Sequence, residues 1–589
     1  MLRGFRWQLV VLLTALGLFL AGLASRSLND TPAPDIPTEP TPAASAEPIV
    51  STAADEAPVS LPVPLPADEN TPTLEFTEAL VGSVQRLNPL LAGLNPADRD
   101  ITALIFEGLT RANEYGEPAP ALAAEWVISS DHLEYVVRLR QDVLWQDGAP
   151  FTADDVMYTV SLLQSPDFPG PAELGRFWRT VEVQRLSDHL VRFRLTQPLG
   201  TFLDMLRIGI LPEHALRGTT AALIANHPFN LSPIGTGPYQ IGALRSTDGS
   251  RIDIVDLQAA PVYRQRPEGQ AGYTINRFRF RLYDTFEAAL AALQNGEADG
   301  LMARNVQERL ALVNSSGLNI HTQIEATLGV LIFNWVKDET AYFREQRVRL
   351  ALMTGLDRAG IIERYLSGQA VRADSPLFPG SWAYTADLPW PQPDINAARA
   401  LLENARPVVT SPEATEEAAG SRYQFRILVP DTPALVNLAQ EIAAQWSPLG
   451  VQAAVEAAAP GDYQSRLDSG DFDAAVVELS LGGSADPDVY TFWDEGQYPD
   501  GLNYGGVNDR RISESLERAR RDPSGINRAV YYHEFQRDFI ERAVAIPLYY
   551  PLFTYATAAR VGGVQLGFVG IPADRFLTLR DWEIAPPGQ

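Results

Sequence analysis

Hydrophobic and polar positions follow two periods along this chain. Tyr135, Val137 and Leu139 alternate with partly polar neighbours, the period-two pattern of a half-buried strand. Gln146-Asp147-Gly148 then supplies turn chemistry. Thr152 is placed to cap a helix whose third residue, Asp155, completes a capping box, with Val156, Val160 and Leu163 on one face. Further on, Phe278 to Tyr283 reads as a strand and Asp284 to Asn295 as a helix stopped by Gly296. Thr432 and Pro433 open a helix with Leu435, Leu438, Ile442 and Trp446 at helical spacing; Pro448 and Gly450 end it, and Val451, Ala453 and Val455 alternate as the next strand. Asp462 is expected to cap the following helix, and Phe472 to Leu479 forms an apolar interior strand. Asn527 to Ala543 is a long amphipathic helix before a strand at Ile546 to Tyr550. This alternation of strand and helix predicts an α/β protein.

Two segments depart from that pattern. Met1 to Ala24 places Arg3 and Arg6 before an apolar run, Leu9 to Leu23, which is the layout of a secretory signal or membrane anchor over 1–25. Residues 26–72 are rich in Pro, Ala and Thr and carry eight acids against Arg26, so they are expected to form a disordered acidic tether. Pro407 to Gly420 is polar and low in complexity, a surface loop by the same reasoning.

The chain has 589 residues, 46% of them hydrophobic, which is too many for one ordinary core and predicts several subdomains. Its formal charge of −26 argues against a nucleic-acid partner. Residues 73–589 alone retain −21, and Lys337 is the single lysine. The chain contains no cysteine, which removes disulfides, zinc–thiolate sites and cysteine catalysis. It also rules out lipidation at Leu20-Ala21-Gly22-Leu23, where a lipoprotein box would carry cysteine. None of the six histidines stands at HxH, HxxH or HExxH spacing, so no metal site is predicted. Gly482-Gly483-Ser484-Ala485-Asp486 lacks the last glycine of a nucleophile elbow, and no catalytic residue is assigned.

The stretch Leu139 to Val160, LRQDVLWQDGAPFTADDVMYTV, closely resembles the signature of the family-5 extracellular solute-binding proteins, the peptide-, nickel- and sugar-binding receptors of ABC importers. Other landmarks follow in that family's order. They are Leu87-Asn88-Pro89 with Ile105 to Leu109 (IFEGL), Ala121 to Trp126 (ALAAEW), Pro233 to Tyr239 (PIGTGPY) and Leu293 to Asp299 (LQNGEAD). Phe333-Asn334 with Arg347 to Leu352 (RVRLAL), Asn503-Tyr504 and Ile546 to Tyr550 (IPLYY) complete the series.

The resemblance implies a two-lobed, periplasmic-binding-protein-like (Venus flytrap) fold with an extra subdomain inserted in lobe one. Lobe one takes 73–118, 225–332 and 545–589, the insertion 119–224 and lobe two 333–544. The implied function is extracytoplasmic: a monomeric receptor at the periplasm or cell surface that closes on a peptide or oligosaccharide-like ligand. It then docks on ABC permease subunits, with no cofactor.

The resemblance also places ligand contacts at the end of a lobe-two strand, in ELSLGGSADPD. Peptide receptors of the family commonly carry an aspartate just before the DP pair. This chain has Gly482 and Gly483 there, leaving Asp486 as a substitute anchor and room for a bulkier ligand. Trp493, Tyr504, Tyr549 and Tyr550 border the implied cleft, and Trp335 follows a crossing strand; flat aromatic side chains suit sugars and peptide side chains. Tyr549 and Tyr550 are neighbours in a strand, so at least one belongs to the core. Two rivals stay open: an exported hydrolase using Asp486, Asp488 or Glu478 as a carboxylate pair, and a tethered sensor on the same fold.

Overall fold

The structure is a computed structural model; it describes residues 74–585, leaving out 248, 250, 406–421, 484 and 523. The expected signal segment, tether and 407–420 loop therefore lie outside the described residues. Among the described residues no helix is long and apolar enough to cross a membrane.

One sheet of twelve strands runs through the molecule. Its first half, in spatial order, is Val451–Ala458, Tyr423–Pro430, Ala474–Ser480 and Thr327–Phe333. Its second half is Gly300–Met302, Glu75–Val81, Arg277–Tyr283, Ile254–Ala259 and Tyr239–Arg245. Ile546–Ala558 lies between the halves and belongs to both. Its early residues pair with Thr327–Phe333 and Ala370–Arg372, its later ones with Gly300–Met302 and Leu318–Ile324. The pattern predicted only Ile546 to Tyr550 of this strand. It continues to 13 residues because Phe553, Thr554, Tyr555 and Ala556 are buried within lobe one.

Each half has its own core. One gathers Leu328, Phe425, Trp446 and Phe539; the other gathers Phe76, Phe278 and Trp582. A separate antiparallel sheet of Ala123–Ile128, Glu134–Leu139, Leu190–Arg194 and Glu182–Ser187 adds Trp145, Trp178 and Phe193 to the second core. Inserted subdomain and lobe one thus share one hydrophobic interior, and lobe two has another. Connection between the cores runs through Thr327–Phe333 and Ile546–Ala558.

Local chemistry explains most elements. Helix Ala153–Gln164 has the capping box at Thr152 and Asp155. Helix Pro433–Trp446 buries Leu435, Leu438, Ile442 and Trp446, although Thr432 at its start makes no side-chain capping bond. Helix Pro460–Ser469 is preceded by Ala459, so Asp462 sits in the first turn, where its charge meets the positive helix end, and is not the cap. The long helix is Gly525–Glu541; it starts two residues before the expected Asn527 and is capped by Ser524. In lobe one, Arg575 is fully buried and bonds both Glu78 and Asp100 at 2.8 Å, while Tyr555 donates to Glu78 at 2.6 Å. Gly300 is required beside this cluster, since a Cβ there would overlap the Glu78 carboxylate and the Tyr555 hydroxyl.

Candidate functional site

The signature stretch fastens the inserted subdomain to lobe one. Asp155 accepts from the Thr152 and Glu213 amides at 2.9 and 2.8 Å and from the Trp145 indole at 3.2 Å. Gln146 accepts from the Gly235 amide at 2.8 Å and donates to the Tyr239 carbonyl at 2.7 Å. Gly235 and Gly237 lie against the Ile105 carbonyl, where any side chain would collide with backbone. The motifs QDG, GTGPY and IFEGL are therefore three parts of one knot that sets where the inserted subdomain stands.

Other landmarks are also structural. Asn334 donates to the Gly470 and Phe472 carbonyls, both at 3.0 Å, and Asn503 to those of Asp494 and Val507 at 3.0 and 2.9 Å. Arg349, from RVRLAL, spends its guanidinium on the carbonyls of Ala543, Phe343 and Arg542. Each buried polar group here replaces the water it loses.

The lobes meet at the loop that follows strand Ala474–Ser480. The Ala485 amide donates to the Gly116 carbonyl at 3.1 Å, and Leu481 to that of Ala326 at 2.8 Å. Arg207, from the inserted subdomain, donates to the Gly483 carbonyl and to Asp574 at 2.9 Å. Burial pushes the Asp574 carboxyl up from its ordinary range, against the pull of Arg207. Phe568, on the C-terminal return, packs edge-on against Phe378 of lobe two at 5.4 Å. These contacts cross between the two halves, so this is a closed conformation.

Gly482 and Gly483 sit at this seam for two different reasons. Gly482 has φ +99°, a conformation that excludes most side chains, and open space around it. Gly483 faces Gly570, where an added Cβ would stand 2.7 Å from the Gly483 Cα, and Arg207 flanks it. The room expected for a bulkier ligand at Gly483 is taken up in this closed form by Gly570 and Arg207.

Asp486 does not face the cleft as a free anchor. Its carboxylate accepts from Arg528 at 2.8 Å, with both side chains 10% exposed. Burial pushes its pKa up and Arg528 opposes that shift. Asp488 is likewise bonded by Arg520 at 2.7 Å.

The aromatics divide. Tyr550 is a core residue whose hydroxyl is spent on the Ser375 and Leu377 carbonyls. Trp493 is buried against Phe539 at 4.7 Å, and Trp335 is buried beneath the Arg349 guanidinium at 3.8 Å. All three belong to the core that gathers Leu328, Phe425 and Phe539, where packing consumes their apolar faces. Tyr504 is half-buried and accepts from Gln464 at 3.3 Å. Tyr549 lies on Gly329, where a Cβ would approach its ring to 2.5 Å, and donates to Glu478 at 2.9 Å.

That last bond reveals residues the pattern did not single out as binding groups. Glu478 is exposed on Ala474–Ser480; burial raises the pKa of Glu325, Arg309 opposes that shift, and the Glu478 charge adds to it. Glu325 sits between Leu318–Ile324 and Thr327–Phe333, where the chain crosses between lobes. An exposed glutamate in an otherwise apolar interior strand was the available signal for Glu478. Arg207 and Phe568 carried none, since their partners are hundreds of residues away. Among the described residues no group of three or more His, Asp or Glu side chains is arranged to hold a metal ion.

Residues 117–500 match the family described as bacterial extracellular solute-binding proteins, family 5 middle. The chain is 25% identical over 488 residues to the oligopeptide-binding protein AppA of Bacillus subtilis, covering 80% of this chain and 86% of that protein. It is 24% identical to the dipeptide-binding protein of Escherichia coli, covering 73% and 80%. Crystallised NikZ from Campylobacter jejuni, in complex with Ni(L-His), superimposes with a TM-score of 0.68 at 26% identity, covering 87% of this chain and all of that one. The substrate-binding protein CtaP of Listeria monocytogenes has the same fold, with a TM-score of 0.74 at 23% identity and the same coverage. With two lobes, two crossing strands and the family's motifs assembled into one knot, the chain belongs to the family-5 bacterial extracellular solute-binding proteins.

Proposed function

We propose that this solute-binding protein takes a peptide between its lobes, its amino group directed to Glu478 and Glu325, and presents the closed form to ABC permease subunits as a monomer. The observation that carries this reading is the Glu478–Tyr549 pair beside the crossing strands. It supplies an oriented, exposed carboxylate in a family whose peptide receptors commonly use an aspartate at the position now held by glycine. A hydrogen-bonded carboxylate recognises an ammonium group strongly in a partly dehydrated cleft. Backbone groups of the closing loops serve an extended ligand by strand addition. The oligopeptide- and dipeptide-binding relatives support the same ligand class. Binding without chemistry is favoured over hydrolysis because Asp486 and Asp488 are each committed to an arginine.

The test is calorimetric titration with di- to hexapeptides, each with a free and an acetylated amino terminus. Free-terminus peptides should bind, and Glu478→Gln should weaken them by about tenfold, a loss of about 1.4 kcal/mol. Equal affinity for the acetylated series would overturn the amino-group assignment. Absence of binding to every peptide would overturn the ligand class.

A further inference from the structure

Away from the seam at Gly483, the inserted subdomain and lobe two enclose a cavity of about 320 Å³. His132, Tyr135 and Leu199 line it from the subdomain; Trp382, Arg520 and Arg528 line it from lobe two. Two features distinguish it from a packing gap. Trp382, 44% exposed, is the most exposed tryptophan of the described residues. Its ring is nevertheless fixed, with Tyr532 edge-on at 5.9 Å and the Arg528 guanidinium 5.2 Å from its centre. An aromatic held rigid beside a cavity is a preorganised platform.

The two arginines around this platform are both paired. Arg528 is paired with Asp486 and Arg520 with Asp488. Asp522, on the same wall, accepts from the Ser524 amide at 2.8 Å and from Asn527 at 3.2 Å. Guanidinium donors and carboxylate acceptors thus stand close together, two arginines against three aspartates. A free anion would meet three carboxylates on an already acidic protein, and a purely apolar ligand would strip water from arginine and aspartate without replacing it. A neutral ring with hydroxyls around its edge and C–H bonds on its face satisfies both parts, since each hydroxyl donates and accepts. The volume is at the small end of ligand pockets, about 300–1,000 Å³, which suits one such ring.

We propose that this cavity is a second ligand site, separate from the peptide cleft, that binds a neutral pyranose ring against Trp382. Its two walls belong to different bodies, so the ring binds the closed conformation and stabilises it. The inference goes beyond the peptide reading and stands or falls independently of it.

Saturation-transfer NMR on the full chain tests this with methyl α-D-glucopyranoside, methyl β-D-galactopyranoside and N-acetylglucosamine, with glucuronate as the charged comparison. Ring protons of at least one neutral pyranoside should receive saturation. Trp382→Ala should weaken that ligand by at least about tenfold, with partial rescue in Trp382→Phe and unchanged peptide titration. No transfer to any neutral pyranoside, undiminished transfer in Trp382→Ala, or a preference for glucuronate would each overturn the proposal. Circular dichroism of the variants separates loss of binding from loss of fold, and Trp382→Phe keeps the test valid if the alanine variant unfolds.

Discussion

Arg528 donates to Asp486 within lobe two while its guanidinium lies face-on against Gly200 of the inserted subdomain, where a Cβ would stand 2.5–2.6 Å from its outer atoms. One side chain thereby neutralises a buried acid and forms part of an interlobe contact. The Arg528 Nε, donating to the Ala519 carbonyl at 2.9 Å, fixes it to the preceding helix, so the face it shows Gly200 is rigid.

Asp486 is therefore expected to act in stability before it acts in binding. Removing one partner of a buried pair leaves the other charge uncompensated, a cost of about 3–5 kcal/mol. Asp486→Ala should lower the urea midpoint by that measure, and Asp486→Ala combined with Arg528→Met should cost less than the two separate losses added together. Additive losses in the two-variant cycle would show that the pair does not act as a unit.

Closure should depend on Arg207 and Gly200. Arg207 joins the Gly483 carbonyl in lobe two to Asp574 on the C-terminal return, and Gly200 leaves room for Arg528. Hydrogen bonds to charged groups contribute about 1.5–3 kcal/mol, enough to move a two-state opening equilibrium by more than tenfold. Arg207→Gln and Gly200→Ala should each raise the radius of gyration in solution scattering, and a saturating peptide should lower it again. An unchanged profile in both variants would assign closure to other contacts.

Glu78 gives a pH dependence of definite sign. Burial raises its folded pKa above the ordinary glutamate value, with Asp100 adding to the shift and Arg575 and Tyr555 opposing it. An acid raised on folding holds its proton more tightly in the native state, so it costs nothing below the unfolded pKa, near 4.3. Its penalty grows as pH rises from there through the raised value. Glu78→Gln should accordingly gain stability relative to the wild type as the pH rises above about 4.3, read as the difference between urea midpoints. A difference moving the other way with pH would mean that Arg575 holds Glu78 ionised.

By itself the sequence determined the local elements and the family. Thr152 and Asp155 specify a capping box within a dozen residues, Leu435 to Trp446 repeat at helical spacing, and QDG, GTGPY and IFEGL appear as short strings. Such signals are legible because each rests on neighbours in the chain. Tertiary structure decided what those strings do and which polar groups are free. Gln146 meets Gly235 and Tyr239 about ninety residues away, and Arg207 meets Gly483 across 276. Asp486, Trp493 and Tyr550 read as cleft residues from their place in the family's order, yet Arg528, Phe539 and the Ser375 and Leu377 carbonyls consume them. Glu478 stood in the sequence only as a carboxylate of the rival hydrolase, and became a binding candidate when strand Ile546–Ala558 brought Tyr549 against it. Burial and long-range pairing set the cost of each charge, and neither is written in the spacing of residues along the chain.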